Sequence, residues 1–87
     1  MHDTYNFRYI GKNGSIDLTI NENIILDLLI KNKNYIVTYK KLIDAVYKCQ
    51  EDKYFKININ QYICRLRQKL KGEVEIKNKH NIGYMLV

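Results

Sequence analysis

The 87-residue chain lacks most of what secretion, membrane insertion or catalysis would need. No apolar run approaches the length that crosses a bilayer, and the opening MHDTYNFRYI has no basic start leading into a long apolar stretch, so no signal peptide is visible. The expectation is a cytoplasmic protein whose own segment makes no membrane contact. Cys49 and Cys64 stand fifteen residues apart without a CxxC or a histidine cluster, so the sequence predicts neither a disulfide framework nor a metal site, only two reduced thiols. His2 and His80 fall near a terminus and in a predicted loop, no serine or cysteine shares a motif with a base, and no glycine-rich phosphate loop occurs. A non-enzyme without a cofactor is expected. Repeats, linkers and low-complexity segments are missing too. With 46% apolar residues and about 60% of its unfolded surface buried on folding, a chain of this size makes one core, hence one domain over residues 1–87.

Charge is present but unevenly placed. The net charge is +6, yet residues 1–30 carry −2 and residues 31–87 carry +8. Such segregation sets up a positive field on one side, suited to nucleic acid or an anionic surface. The field is concentrated where acid is scarcest: no carboxylate occurs from Lys53 to Lys71. Within that stretch, Asn58 to Leu70 reads NINQYICRLRQKL. At 100° per residue Ile59, Ile63, Leu66 and Leu70 form the i, i+4, i+7, i+11 stripe of a helix packed on a core, spanning roughly Ile59 to Lys71. The other side presents Asn58, Gln61, Cys64, Arg65 and Gln68, flanked by Arg67 and Lys69. Arginine can clamp guanine O6 and N7, and asparagine or glutamine adenine N6 and N7, so amides and cations on one face suit double-stranded DNA. The plainer reading is a solvated face of an amphipathic helix.

The flanking elements are read in chain order. Tyr5 to Lys12 and Ser15 to Leu18 surround Asn13-Gly14, the dipeptide suited to a type I′ turn, and predict a hairpin whose Tyr5, Phe7 and Tyr9 face the helices. Thr19-Ile-Asn-Glu22 matches a capping box opening a helix with a ridge of Ile24, Ile25, Leu28 and Leu29. A short β-prone Tyr35 to Val37 follows, then Thr38 caps a second helix with Leu42, Ile43, Val46 and Tyr47, ending near Lys48. The connection 49–57 is polar with two aromatics, Tyr54 and Phe55. Asn58 caps the third helix and Gly72 ends it. Glu73 to Lys77 and Ile82 to Val87 predict a second hairpin tipped by Asn78-Lys79-His80-Asn81.

Hairpin, three helices, hairpin, with a basic third helix and a basic final loop, resembles the OmpR/PhoB-type winged helix-turn-helix domain over essentially the whole chain. The matching residues are Leu18-Thr19, Glu22, Leu28-Leu29, Leu42, Val46-Tyr47, Ile63 with Arg65 to Leu70, and Gly83-Tyr84. The resemblance implies an α+β fold with an N-terminal β-hairpin or small antiparallel sheet, a three-helix core and a C-terminal hairpin wing. It also implies a sequence-specific, DNA-binding bacterial transcription regulator, with the third helix in the major groove and the wing near the minor groove. Carried over by position, the base-edge reader is Arg65, with Asn58, Asn60 and Gln61 beside it and Cys64 where a further arginine or serine is usual. Phosphate contacts fall to Tyr47, Tyr62 and Arg67, and the basic pattern adds Lys56 and Lys69. The wing candidates are Lys77, Asn78, Lys79 and His80. His80 replaces the family's wing arginine and, being mostly neutral at pH 7, shifts the weight to the lysines. Asn81 replaces a glycine and tolerates the left-handed backbone.

About eighteen residues before the first helix leave no room for a receiver domain, which favours a ToxR-like arrangement tethered to the inner membrane through a further segment. The alternatives are a response-regulator effector domain and a stand-alone regulator. RNA polymerase through the 49–57 loop and a homodimer on tandem half-sites are further partners to expect. The rival of another class is a protein-binding winged helix, whose mark would be an apolar patch in place of the Arg65 face.

Overall fold

In the computed structural model, which describes residues 1–48 and 58–87, two small antiparallel sheets bracket three helices. The first sheet contains β1 (His2–Asp3), β2 (Arg8–Gly11) and β3 (Gly14–Asp17), in that order. The expected hairpin is there, but it begins at Arg8 instead of Tyr5. The Asp3 carboxylate accepts the backbone N–H of Asn6 at 3.3 Å and its side-chain amide at 2.9 Å. That turn returns the chain so that His2 pairs with Tyr9 and Asp3 with Arg8. Tyr5 and Phe7 lie in the turn and are exposed, so the expected aromatic face reduces to Tyr9. The β2–β3 tip is also displaced. Gly11 pairs with Gly14, which makes Lys12-Asn13 the tip, while Gly14 takes φ 115 as β3 begins. Glu73 holds this tip by accepting the Lys12 backbone N–H at 2.8 Å.

Helix α1 (Ile20–Lys31) starts as the sequence predicts: Thr19 accepts the N–H of Glu22, and Glu22 accepts that of Thr19. Its buried line is Ile25, Leu26 and Leu29, with Ile24 and Leu28 half-buried. The ridge is therefore centred on Leu26, because α1 touches α2, α3 and the wing at once and buries a broad sector. After β4 (Val37–Thr38), Thr38 Oγ1 accepts the N–H of Lys41 and opens α2 (Tyr39–Lys48), where Leu42 and Val46 are buried.

Helix α3 (Ile59–Lys69) is capped by Asn58, which accepts the Gln61 N–H at 3.2 Å. Ile59, Ile63, Leu66 and Leu70 are all buried, as their spacing predicts. The helix ends two residues before Lys71, with Leu70 as its C-cap and Gly72 at φ 84 just beyond. The Leu70 carbonyl then takes the N–H groups of Glu73 and Val74, so these residues turn instead of entering a strand. For that reason β5 runs Ile76–Lys79 and β6 Gly83–Leu86, and the tip is His80 to Ile82 instead of Asn78 to Asn81. Asn81 takes φ 61, the left-handed conformation expected of it.

Strand β6 is central in the second sheet, ordered β4-β6-β5. Gly83 is needed there for close approach. A Cβ on it would lie 1.9 Å from the Val37 carbonyl oxygen, so no side chain fits between β4 and β6.

Candidate nucleic-acid interface

The core stripe turns the rest of α3 outward, and Asn58, Asn60, Gln61, Cys64, Arg65 and Gln68 are all exposed on it. They do not all have free side chains. Arg65 lies with its guanidinium 5.8 Å from the centre of the Tyr62 ring, one turn back on the same helix. Tyr62 is itself anchored, its hydroxyl accepting from the Asn21 amide at 2.8 Å. Among the described residues Arg65 forms no ion pair, so its charge faces outward with the stem steadied by a ring.

Arg67 is used differently. Its Nε and Nη2 both donate to the Ile76 carbonyl, at 3.1 and 2.7 Å, and its guanidinium lies 5.6 Å from the Tyr84 ring centre. It ties α3 to the first residue of the wing, and the remaining N–H donors of the fork have no protein acceptor among the described residues. Lys69, expected beside it at a phosphate, is turned inward. Its ammonium meets Glu22 Oε1 at 2.6 Å and the Asp17 carbonyl at 3.1 Å. Glu22 is wholly buried, and its Oε2 has no partner among the described residues. Burial pushes its carboxyl up, but the bond from Lys69 and the helix-cap N–H of Thr19 outweigh it and hold the pKa below the ordinary value.

The wing meets α3 at Tyr84. Its hydroxyl donates to Asn60 Oδ1, its ring stands edge-on to Tyr39 at 5.7 Å, and Arg67 covers its face. Burial raises the phenol above its ordinary pKa, Tyr39 adds to this and Arg67 opposes it, so the group remains a donor at neutral pH. Beyond it Lys77, Asn78 and His80 are exposed and Lys79 is half-buried. Tyr47 sits at the far end of α2, partly exposed. Lys56, Phe55 and the whole 49–57 connection lie outside the described residues.

The structure thus leaves the α3 amides and Arg65 on the outward side of the helix, fastens the wing to that helix at Asn60 and Arg67, and gives Lys69 a structural neighbour. Glu22 appears in the sequence as a cap alone, and Tyr84 only as half of a motif. Strand alternation carried a signal for the latter, since Tyr84 and Leu86 are both on the buried side of β6.

Compared with known proteins, residues 12–86 match the family described as transcriptional regulatory protein, C terminal. The chain belongs to that family. By family it is a transcriptional regulatory DNA-binding domain of OmpR/PhoB type, a class that is generally non-enzymatic. Its fold is similar to the crystal structure of the DNA-binding domain of Bacillus subtilis CssR, with a TM-score of 0.81 at 22% identity over 100% of this chain and 98% of that one. No curated protein matches the sequence. The winged-helix architecture drawn from the sequence is therefore the observed one. The match is to a C-terminal class of regulatory domain, which fits the effector-domain alternative better than the ToxR-like one.

Proposed function

We propose that this domain binds double-stranded DNA sequence-specifically, with α3 in the major groove and the wing at the neighbouring minor groove. The observation that carries the proposal is the outward face of α3. It joins exposed amides to an arginine that is steadied by Tyr62 yet unpaired among the described residues, beside a wing fastened to the same helix. The DNA-binding role named for the CssR domain and the family match both support it. That face is polar, whereas a protein-binding winged helix would show an apolar patch there.

Within the proposal, Arg65 reads base edges together with Asn58, Gln61 and Gln68, and Cys64 lies among them. Tyr47, Tyr62, Lys56 and the free side of Arg67 take phosphates, and Lys77, Asn78, Lys79 and His80 form the wing's contact. The regulator is an effector domain acting in the cytoplasm; no described helix is long and apolar enough to cross a membrane. Contact with RNA polymerase through 49–57 and pairing on tandem half-sites remain parts of the same reading.

The test is a salt titration with an operator selected from random duplexes and with a scrambled one. Each phosphate neutralised should contribute roughly 0.9 to the slope of log K against log salt. Arg65→Ala should weaken operator binding by about 1 to 3 kcal/mol and leave the scrambled duplex nearly unchanged. A flat salt dependence, or equal losses on both duplexes, would remove the reading face from α3.

A further inference from the structure

A helix face that reads bases usually leaves its asparagines free to turn either amide end outward. Asn60 does not have that freedom. Its Oδ1 accepts the Tyr84 hydroxyl, while the residue itself remains exposed on the reading side of α3. Tyr84 is 5% exposed and held on three sides: by β-pairing with Asn78, by the Tyr39 ring edge and by the Arg67 guanidinium, which is bonded in turn to Ile76. The hydroxyl cannot follow the amide round. If Asn60 were reversed, its Nδ2 would donate to the phenol, and the phenol's own hydrogen would lose its acceptor among the described residues, so the arrangement with Oδ1 inward is the one that uses the hydroxyl as donor.

We infer that Tyr84 is a positioning residue for recognition: it holds Asn60 with the amide oxygen inward and Nδ2 outward, so that Asn60 meets DNA as a hydrogen-bond donor. The inference rests on the proposed DNA reading. Its consequence is a choice of base. The usual asparagine contact to adenine needs Oδ1 to accept from N6 while Nδ2 donates to N7. With Oδ1 occupied, the outward donor selects an edge rich in acceptors, guanine O6 and N7 or thymine O4. Wing and helix thereby specify one base together, although the wing residue never touches it.

The test begins with selection from random duplexes by the wild-type chain and by Asn60→Ala, an exposed substitution that leaves the core intact. The base pair whose preference vanishes in Asn60→Ala is the one Asn60 reads. That pair is then rebuilt with analogues lacking one acceptor (a 7-deazapurine, or a thymine without O4) or one amino donor (an adenine without its N6 group, a cytosine without its N4 group). Wild type should lose about fivefold or more on losing an acceptor and nothing on losing an amino group. In Tyr84→Phe the amide can turn, and adenine at that pair should bind as well as the wild-type choice, with the preferences elsewhere unchanged. A merely structural role for Tyr84 would lower affinity for all duplexes by one factor and leave the preference at that pair intact, which would overturn the inference. So would wild-type sensitivity to the amino group, or the absence of any pair that depends on Asn60. The analogue measurements use the wild-type chain and stand even if Tyr84→Phe folds poorly. If wild type selects no sequence and binds no duplex, the proposed function itself has failed, and that result is distinct from these.

Discussion

The two three-stranded sheets look alike in size and pairing, yet they are fastened to different things. The amino-terminal sheet is bonded mainly to α1 and to Glu73 beyond α3, and meets α3 at its last residue, where the Lys69 ammonium reaches the Asp17 carbonyl at 3.1 Å. His2 lies against the Asn23 side chain of α1 at 2.6 Å, Thr4 accepts from the same amide, and Glu73 holds the tip at Lys12. The wing sheet is bonded to α3, through Arg67 to Ile76 and Tyr84 to Asn60. A perturbation of the first should therefore appear as stability, and one of the second as stability and DNA reading together. Glycines supply the sharpest break between them. Gly83→Ala would place a Cβ against the backbone of Val37 and Thr38, which cannot yield without parting β4 from β6. Gly11→Ala in the other sheet meets only the flexible end of Glu73, at 2.7 Å. We expect Gly83→Ala to destabilise by about 3 kcal/mol or more and to abolish operator binding, against about 1 kcal/mol for Gly11→Ala through the bond at Lys12. Urea unfolding of the two variants, with operator titration, makes the comparison; equal destabilisation would mean that β4 is not held as described.

Glu22 belongs to neither sheet, and it joins the start of α1 to the end of α3. Its pKa is lowered in the folded chain, so its contribution to stability is fully present above the unfolded value and is lost as pH falls through the lower folded one. Glu22→Gln keeps a cap acceptor but leaves the Lys69 ammonium, about one-third exposed, without its counter-charge. The expected loss at neutral pH is about 1 to 3 kcal/mol, below that of a fully buried pair because water still reaches the lysine. The acid limb of stability against pH should be flatter in Glu22→Gln than in wild type. Parallel acid limbs would show that another carboxylate carries the effect.

Periodicity made the α3 stripe legible, because a helix on a core has one solution for Ile59, Ile63, Leu66 and Leu70. Caps were legible for the same local reason: Thr19, Thr38 and Asn58 each bond a backbone N–H three residues on. Both hairpin tips were displaced, the first because a contact distant in sequence, Glu73 on Lys12, holds it, and the second because the Leu70 carbonyl turns Glu73 and Val74 just past the helix and so delays β5. The Asp3 turn had a local signal, an aspartate three residues before an asparagine, but the strand pairing it enables is tertiary. Among the site residues, exposure on α3 followed from the stripe. The engagement of Arg67, Lys69 and Asn60 could not follow from it, because their partners Ile76, Glu22 and Tyr84 come from other elements.

The smallest expected effects come from cutting one side-chain tether in each sheet. Arg67→Ala removes two charge-assisted bonds to the Ile76 carbonyl and the cover over Tyr84, about 1 to 2 kcal/mol of stability. Asp3→Ala removes an exposed turn and its contact with Arg8 at 3.1 Å, in a sheet that His2, Asn23 and Glu73 still hold. Its effect on stability should be the smallest of these variants. In DNA binding the two should separate completely. Arg67→Ala loosens the wing on α3, so affinity for operator and scrambled duplex should both fall, and the salt slope should drop by about one if the free side of the fork also meets a phosphate. Asp3→Ala should bind both duplexes as wild type does, with an unchanged slope. Measuring both variants at a temperature where each is folded removes the stability difference from the comparison. If Asp3→Ala altered operator preference, the amino-terminal sheet would have to touch the reading face, and the division of labour between the sheets would be wrong.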